Sequence, residues 1–295
     1  MNRLRHPAAS CRMLFLLLLA GTAVFGQERV RVEVSTGYQR QGLRWSIAGN
    51  SAGRAPNVYS ELKWRGVSGV FFGGALTWNM WRRWVVFGEG SRVFTLSGRI
   101  SDTDYGGDNR TDPTYAGRFD SHKGYGYAVS SGVGYRVFAD RRFILTPFLG
   151  YGWSGQSLSV TDGGLLNSWY RTTWKGGLVR VLGEWNVRGR WGVYFSGGYH
   201  QVSYRADADW NLITSFVHPV SFRHWADGYG LEGVAGVRYG VGKGVQVFLA
   251  GNYFSWRTGK GVDELYLVSG QTSQTQLNEV VLSGGGVKAG VRWAW

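Results

Sequence analysis

Two carboxylate pairs, Asp102 with Asp104 and Asp207 with Asp209, are the residues whose type and spacing are best suited to chemistry. A spacing of two puts both members of a pair on one face of a strand. Adjacent carboxylates raise one another's pKa and can share a proton and hold a water, which prepares that water to attack a carbonyl. Taken singly, an Asp-x-Asp pair is more often a solvated turn or a casual calcium site. Ser101-Asp-Thr-Asp-Tyr-Gly-Gly-Asp-Asn-Arg-Thr-Asp-Pro113 is indeed rich in turn formers. The signal sharpens because both pairs fall at strand ends expected on the same side of one architecture.

That architecture reads from the C-terminal segment. Val281, Val287, Val291, Trp293 and Trp295 fall on one face, and Lys288 and Arg292 on the other. An apolar outer face alternating with a polar, Gly-rich inner face suits lipid outside and a polar lumen inside. Upstream, Arg3, Arg5 and Arg12 precede the apolar run Met13 to Ala20 and small residues ending at Gly26, the pattern of a secretory signal peptide over residues 1–26. That run is too short to cross a bilayer as a helix, and no later stretch is long enough. Residues 27–295 are therefore expected to form one all-β domain, a ten-stranded antiparallel transmembrane β-barrel of the outer membrane. The only cysteine, Cys11, lies in the signal, so the mature chain has no thiol chemistry.

Tight turns near Trp81-Arg-Arg83, Ala139-Asp-Arg-Arg142, Arg188-Gly-Arg190 and Gly242-Lys-Gly244 mark the periplasmic end. They separate strands expected at Val58 to Met80, Trp84 to Asp104, Lys123 to Phe138, Phe143 to Thr161, Trp169 to Val187, Trp191 to Asp209, Trp225 to Val241 and Val245 to Val268. Arg29 to Arg40 and a closing strand from about Asn278 make ten. Long connections at about Gln41 to Asn57, Tyr105 to His122, Asp162 to Ser168, Asn211 to His224 and Gly270 to Leu277 would lie outside the cell. Many strands exceed the ~10 residues needed to cross a bilayer, so the barrel should project beyond it. Ten strands enclose too little space for a general porin, which needs ~16.

The net charge of +14, or +11 without the three signal arginines, favours anionic partners. No basic tract or binding motif supports nucleic acid. Lipid phosphates and acidic surface glycans fit better.

With both carboxylate pairs placed at one rim, the chain resembles the omptin family of ten-stranded outer-membrane endopeptidases. The resemblance covers nearly the whole mature chain. It rests on strand count and turn placement, on Leu62-Lys-Trp64 with Ala75-Leu-Thr-Trp-Asn-Met80, and on Asp102-Thr-Asp104. It rests also on Gly150-Tyr-Gly-Trp-Ser-Gly-Gln-Ser-Leu-Ser-Val-Thr-Asp-Gly-Gly164, similar to the family's Gly-Tyr, Ser-x-Thr, Gly-Gly segment.

The resemblance implies that Asp102 and Asp104 occupy the family's Asp-Asp couple and Asp207 to Asn211 the segment of its Asp-His couple. Position 209 is Asp and position 211 is Asn, so the family's histidine is missing at that spacing. His218 and His224 in the following connection, or His200 facing the lumen, are the alternative bases. The family's acidic first-strand residue falls near Trp45, where there is no carboxylate, so specificity for a basic side chain is not expected. Arg171, Lys175 and Arg180 are the candidate contacts for lipid phosphates, as omptins bind lipopolysaccharide; strand-end basic residues equally serve as interfacial anchors.

The implied activity is peptide-bond hydrolysis by a water held among Asp102, Asp104, Asp207 and Asp209, acting on peptide or protein at the cell surface. No metal or organic cofactor is called for beyond a lipopolysaccharide-like lipid. The alternatives are an omptin-like barrel without catalysis, serving as adhesin, receptor or structural protein, and, less favoured, a narrow channel. Retention of both carboxylate pairs puts the endopeptidase ahead on sequence alone.

Overall fold

The computed structural model describes residues 29–295, so the expected signal segment lies outside the described residues. The strands are β1 (Val30–Ile47), β2 (Ser60–Trp81), β3 (Trp84–Gly107), β4 (Thr111–Asp120), β5 (Gly124–Tyr135), β6 (Phe138–Ala139), β7 (Phe143–Thr161), β8 (Asn167–Arg188), β9 (Trp191–Asp209), β10 (Phe222–Gly242), β11 (Val245–Thr258), β12 (Gly261–Tyr266) and β13 (Thr272–Ala294). Each neighbour pair is antiparallel, and β1 pairs with β13 from Arg31↔Ala294 to Ile47↔Leu277, which closes the sheet on itself. Two wall strands are interrupted, one into β4, β5 and the short β6 and one into β11 and β12. Counting each as one gives a ring of ten, as the alternation predicts. Closure leaves no edge strand, so the wall satisfies its backbone through ladders between neighbouring strands.

Several expected connections are strand instead. Residues 105–122 form the tip of a hairpin, with β3 running to Gly107, a 3₁₀ turn at Asp108–Arg110, and β4 returning from Thr111. β1 extends to Ile47, β10 begins at Phe222 and β13 at Thr272. These polar stretches lack the unbroken apolar alternation of lipid-facing strand. They are held by neighbouring strands in a wall that rises above the bilayer, where both faces tolerate polar residues.

The lipid-facing belt reads from exposed apolar side chains. On β3, Trp84 and Phe94 point outward, as do Leu149, Tyr151 and Trp153 on β7 and Phe195 and Tyr199 on β9. Trp84 and Phe94 are ten positions apart, about the ~25 Å apolar band of such barrels once strand tilt is included. Asp102, eight residues further on, lies well outside the membrane.

A bulge near the top of this belt decides which side chains enter the barrel. The β2–β3 register jumps between Arg65↔Arg99, Ser68↔Ser97 and Gly69↔Thr95. Gly66 takes φ +62°, a left-handed conformation that glycine adopts without strain. Below the bulge the outward positions of β3 are even-numbered, among them Phe94 and Leu96. Above it even-numbered Ile100 is buried inside, opposite Trp64.

The extracellular half of the interior is solid. Leu43, Trp45, Leu62, Trp64, Ile100, Leu158, Tyr170, Trp174, Tyr204, Phe222 and Leu277 belong to one buried cluster. Trp64 stacks on Tyr170 at 5.3 Å, and Trp45 meets His224 edge to face at 5.0 Å. The periplasmic half sets charged groups beside two small apolar clusters, one of Val85, Phe87, Phe148 and Leu178 and one of Tyr194, Phe248 and Ala250. Glu184 there receives Arg31 at 3.0 Å, Arg292 at 3.3 Å and Arg238 at 3.4 Å. Buried charges of this kind persist only when multiply paired.

Candidate functional site

The bulge turns Asp102 and Asp104 inward, with Asp102 opposite buried Leu62 and Asp104 opposite Ser60 on β2. On the other side they face Gly117 and Tyr115 of β4. Asp102 Oδ1 is buried without a hydrogen-bond partner. Burial, reinforced by the Asp104 charge, pushes the Asp102 carboxyl up to about 7. Asp104 is also raised by burial, against a hydrogen bond from Ser60. The Tyr115 hydroxyl is raised by burial and by both carboxylates. Both carboxyls are thus shifted upward, Asp102 the more fully buried of the two.

The second pair is placed differently. In β9 the inward side chains are even-numbered, including His200, Val202, Tyr204, Ala206 and Ala208, all buried. The β9–β10 register from Phe222↔Ala208 to Tyr239↔Trp191 has no bulge, so Asp207 and Asp209 share the face of Phe195 and Tyr199 and point away from the interior. Asp207 Oδ1 accepts from Arg223 Nε at 2.8 Å on the outer wall. Asp209 Oδ1 lies 2.6 Å from His218 Nδ1 and accepts a longer bond from Ser221 Oγ at 3.4 Å. The expectation that both pairs converge on one site is corrected: the barrel wall stands between them.

Of the alternative bases, His218 pairs with Asp209 outside. His224 is in β10 rather than in a loop and is 1 % exposed. Both its ring nitrogens are engaged, Nδ1 with Tyr170 Oη at 2.8 Å and Nε2 with Asp263 Oδ1 at 3.0 Å. Tyr204 Oη continues the chain to Tyr170 at 2.6 Å, and Thr275 Oγ1 donates to Asp263 Oδ2 at 2.9 Å. His200 faces the lumen beneath this layer, 4.7 Å from the Trp256 ring. Sequence reasoning missed Asp263 as the partner of His224. The two are 39 residues apart and meet only because β12 pairs with the start of β10. Trp45, at the position of the family's acidic residue, is part of the core.

The lipid candidates also separate. Arg171 and Lys175 are exposed on the outer wall of β8, Arg171 over the Trp169 ring at 4.0 Å. Arg180 is inside. Its guanidinium reaches Glu89 Oε1 at 2.5 Å and Glu232 Oε1 at 2.7 Å, so it is removed from the lipid candidates. Lys175 and Arg180 lie on opposite faces because an odd spacing reverses side-chain direction.

A closed antiparallel ring with a tryptophan-rich outer belt and a polar lower lumen is an outer-membrane β-barrel. A family model described as Protochlamydia outer membrane protein matches residues 33–294, and the chain belongs to that family. Among solved structures, outer membrane protease OmpT from Escherichia coli superposes with a TM-score of 0.74 at 12% identity, covering 93% of this chain and 99% of that one. The fold is thus that of a divergent omptin-like barrel. The translocator domain of the autotransporter NalP from Neisseria meningitidis matches at TM-score 0.40 and 12% identity, covering 92% of this chain and 90% of that one. No curated protein matches the chain in sequence.

Proposed function

We propose that this protein is a non-catalytic omptin-like barrel of the outer membrane, serving at the cell surface as an adhesin, receptor or structural protein on a rigid, core-filled stem. The observation that carries this reading is His224. The histidine inside the extracellular half is bonded through both nitrogens and roofed by Trp45, so it has no free lone pair to activate a water beside Asp102 and Asp104. The exposed imidazole–carboxylate pair, His218 with Asp209, is on the outer wall. The parts of an aspartate–histidine site are present but divided among three places.

One observation favours the endopeptidase as a second reading. Asp102, held near pKa 7 beside Asp104, suits a carboxyl that passes a proton during water attack. The test is to refold the mature chain into detergent with and without lipopolysaccharide and incubate it with a peptide library, alongside D102A/D104A. No cleavage by heat-modifiable, folded protein is expected. Cleavage that disappears in the double variant would overturn the proposal and establish the endopeptidase.

A further inference from the structure

Beneath the aromatic core the lumen holds a cavity of about 330 Å³ that extends down to Arg31 and Arg292. Its size falls at the lower end of the ~300–1,000 Å³ range of small-molecule sites. The upper part is lined by polar groups that the protein leaves without partners. Gln156 Nε2, Thr172 Oγ1, Trp174 Nε1 and His200 Nδ1 are all buried and unbonded, and their residues are 1 to 4 % exposed. Gln156 and Thr172 are cross-strand partners, and Trp174 follows Thr172 on the same face. Orphaned buried groups cost stability unless something satisfies them. Here they share one space.

The chemistry of the wall selects the occupant. The tryptophan and glutamine groups only donate, and the threonine hydroxyl can donate, so the ligand must be rich in acceptors. The neighbouring cation, Arg180, is already neutralised by Glu89 and Glu232, and Glu89 accepts a further bond from Ser130 at 2.7 Å. An anion beside Arg180 would therefore meet no uncompensated positive charge; the cavity's other cation of this kind, Lys288, is over the Phe71 ring at 5.9 Å, away from the tryptophans. The rings of Trp174 and Trp256, 5.8 Å apart, give apolar faces beside the donors. Donors set beside aromatic rings suit a molecule with hydroxyls on its edge and C–H groups on its faces.

We infer that the lumen beneath the aromatic core is a binding site for a neutral polyol of monosaccharide size. Gln156, Thr172 and Trp174 donate to its hydroxyls, and Trp256 with Trp174 packs on its C–H faces. The Gln41 Nε2 bond to Gln156 Oε1, at 2.5 Å across the barrel, fixes the amide so that its NH₂ remains for the ligand.

The full mature chain, refolded in lauryldimethylamine oxide rather than a sugar detergent, would be titrated with D-glucose, D-galactose, N-acetylglucosamine and glycerol, with acetate as the anionic comparison, by saturation-transfer NMR. Saturable binding of at least one neutral compound is expected, weakened at least tenfold in Q156L/T172V. These substitutions remove the unsatisfied donors at similar volume, Q156L also taking the acceptor of Gln41, and heat-modifiable mobility would verify the fold. An independent variant, G152V, places a side chain against the His200 ring, 3.2 Å from the Cβ position, and should block binding while leaving the donors intact. Absence of binding by folded protein, binding of acetate alone, or binding indifferent to both variants would each overturn the inference.

Discussion

Tyr170 Oη lies 2.8 Å from His224 Nδ1 at the centre of the barrel's extracellular half, where an omptin-like peptidase would need an open cleft. The bond ties β8 to β10 across the interior, and Asp263 and Tyr204 extend it to β12 and β9. Of the three alternative bases, the one in β10 has become part of the core.

Replacing His224 should therefore act on stability. H224A takes one of two partners from the Tyr170 hydroxyl, which keeps Tyr204, and from the Asp263 carboxylate, which keeps Thr275, at about 1–3 kcal/mol for each lost buried bond, more for the charged one. Both H224A and the volume-keeping H224F should lower the temperature of the heat-modifiable mobility shift. A wild-type transition in both would remove the structural role.

Arg180 and its outer-wall neighbours should respond in opposite ways. R180L strands Glu89 and Glu232 inside the barrel, and breaking a buried ion pair costs about 3–5 kcal/mol. Its transition temperature should fall while binding to lipopolysaccharide vesicles is unchanged. R171A/K175A should leave stability within ~0.5 kcal/mol and weaken vesicle binding, measured by co-sedimentation.

The Asp102 carboxyl sets a pH dependence whose sign is unusual for an acid. Its folded pKa is raised from 3.8 to about 7, so between those values the folded protein binds more protons than the unfolded chain. Its contribution to stability is then present at pH 4 and lost as pH rises to about 7. In denaturant titrations D102N should lack this loss. A wild-type stability that rises over the same window with D102N unchanged would contradict the burial of Asp102.

Cysteine labelling checks the two faces directly, because residues 27–295 contain no cysteine. In D207C the thiol should react quickly with a bulky maleimide on intact vesicles. In D102C, with its side chain beneath the hairpin of β3 and β4, labelling should be at least tenfold slower. Equal rates would mean that the two pairs share a surface.

How far the sequence reaches is clearest from these two pairs. Counting by twos from the outward Trp84 and Phe94 puts Asp102 and Asp104 outside, and counting from the outward Phe195 and Tyr199 does the same for Asp207 and Asp209. In unbroken β9 the count holds, so the outward placement of Asp207 and Asp209 was legible in the alternation. In β3 it fails, because the bulge near Gly66 and Ser97 adds one residue and reverses every side chain above it. The Arg180 error was legible too, since Lys175 and Arg180 differ by an odd number.

The sequence by itself determined the antiparallel barrel, its ten wall strands and its belt, because each strand carries its lipid face in a local period of two and each tight turn marks itself. Only the tertiary structure decided what the extracellular half contains. Trp45, Trp64, Tyr170 and Phe222 come from four separate strands, and His224 meets Asp263 through a strand pairing 39 positions apart. No local pattern encodes whether inward side chains from opposite walls leave a cleft or meet, because that depends on closure of the ring and the volume it encloses.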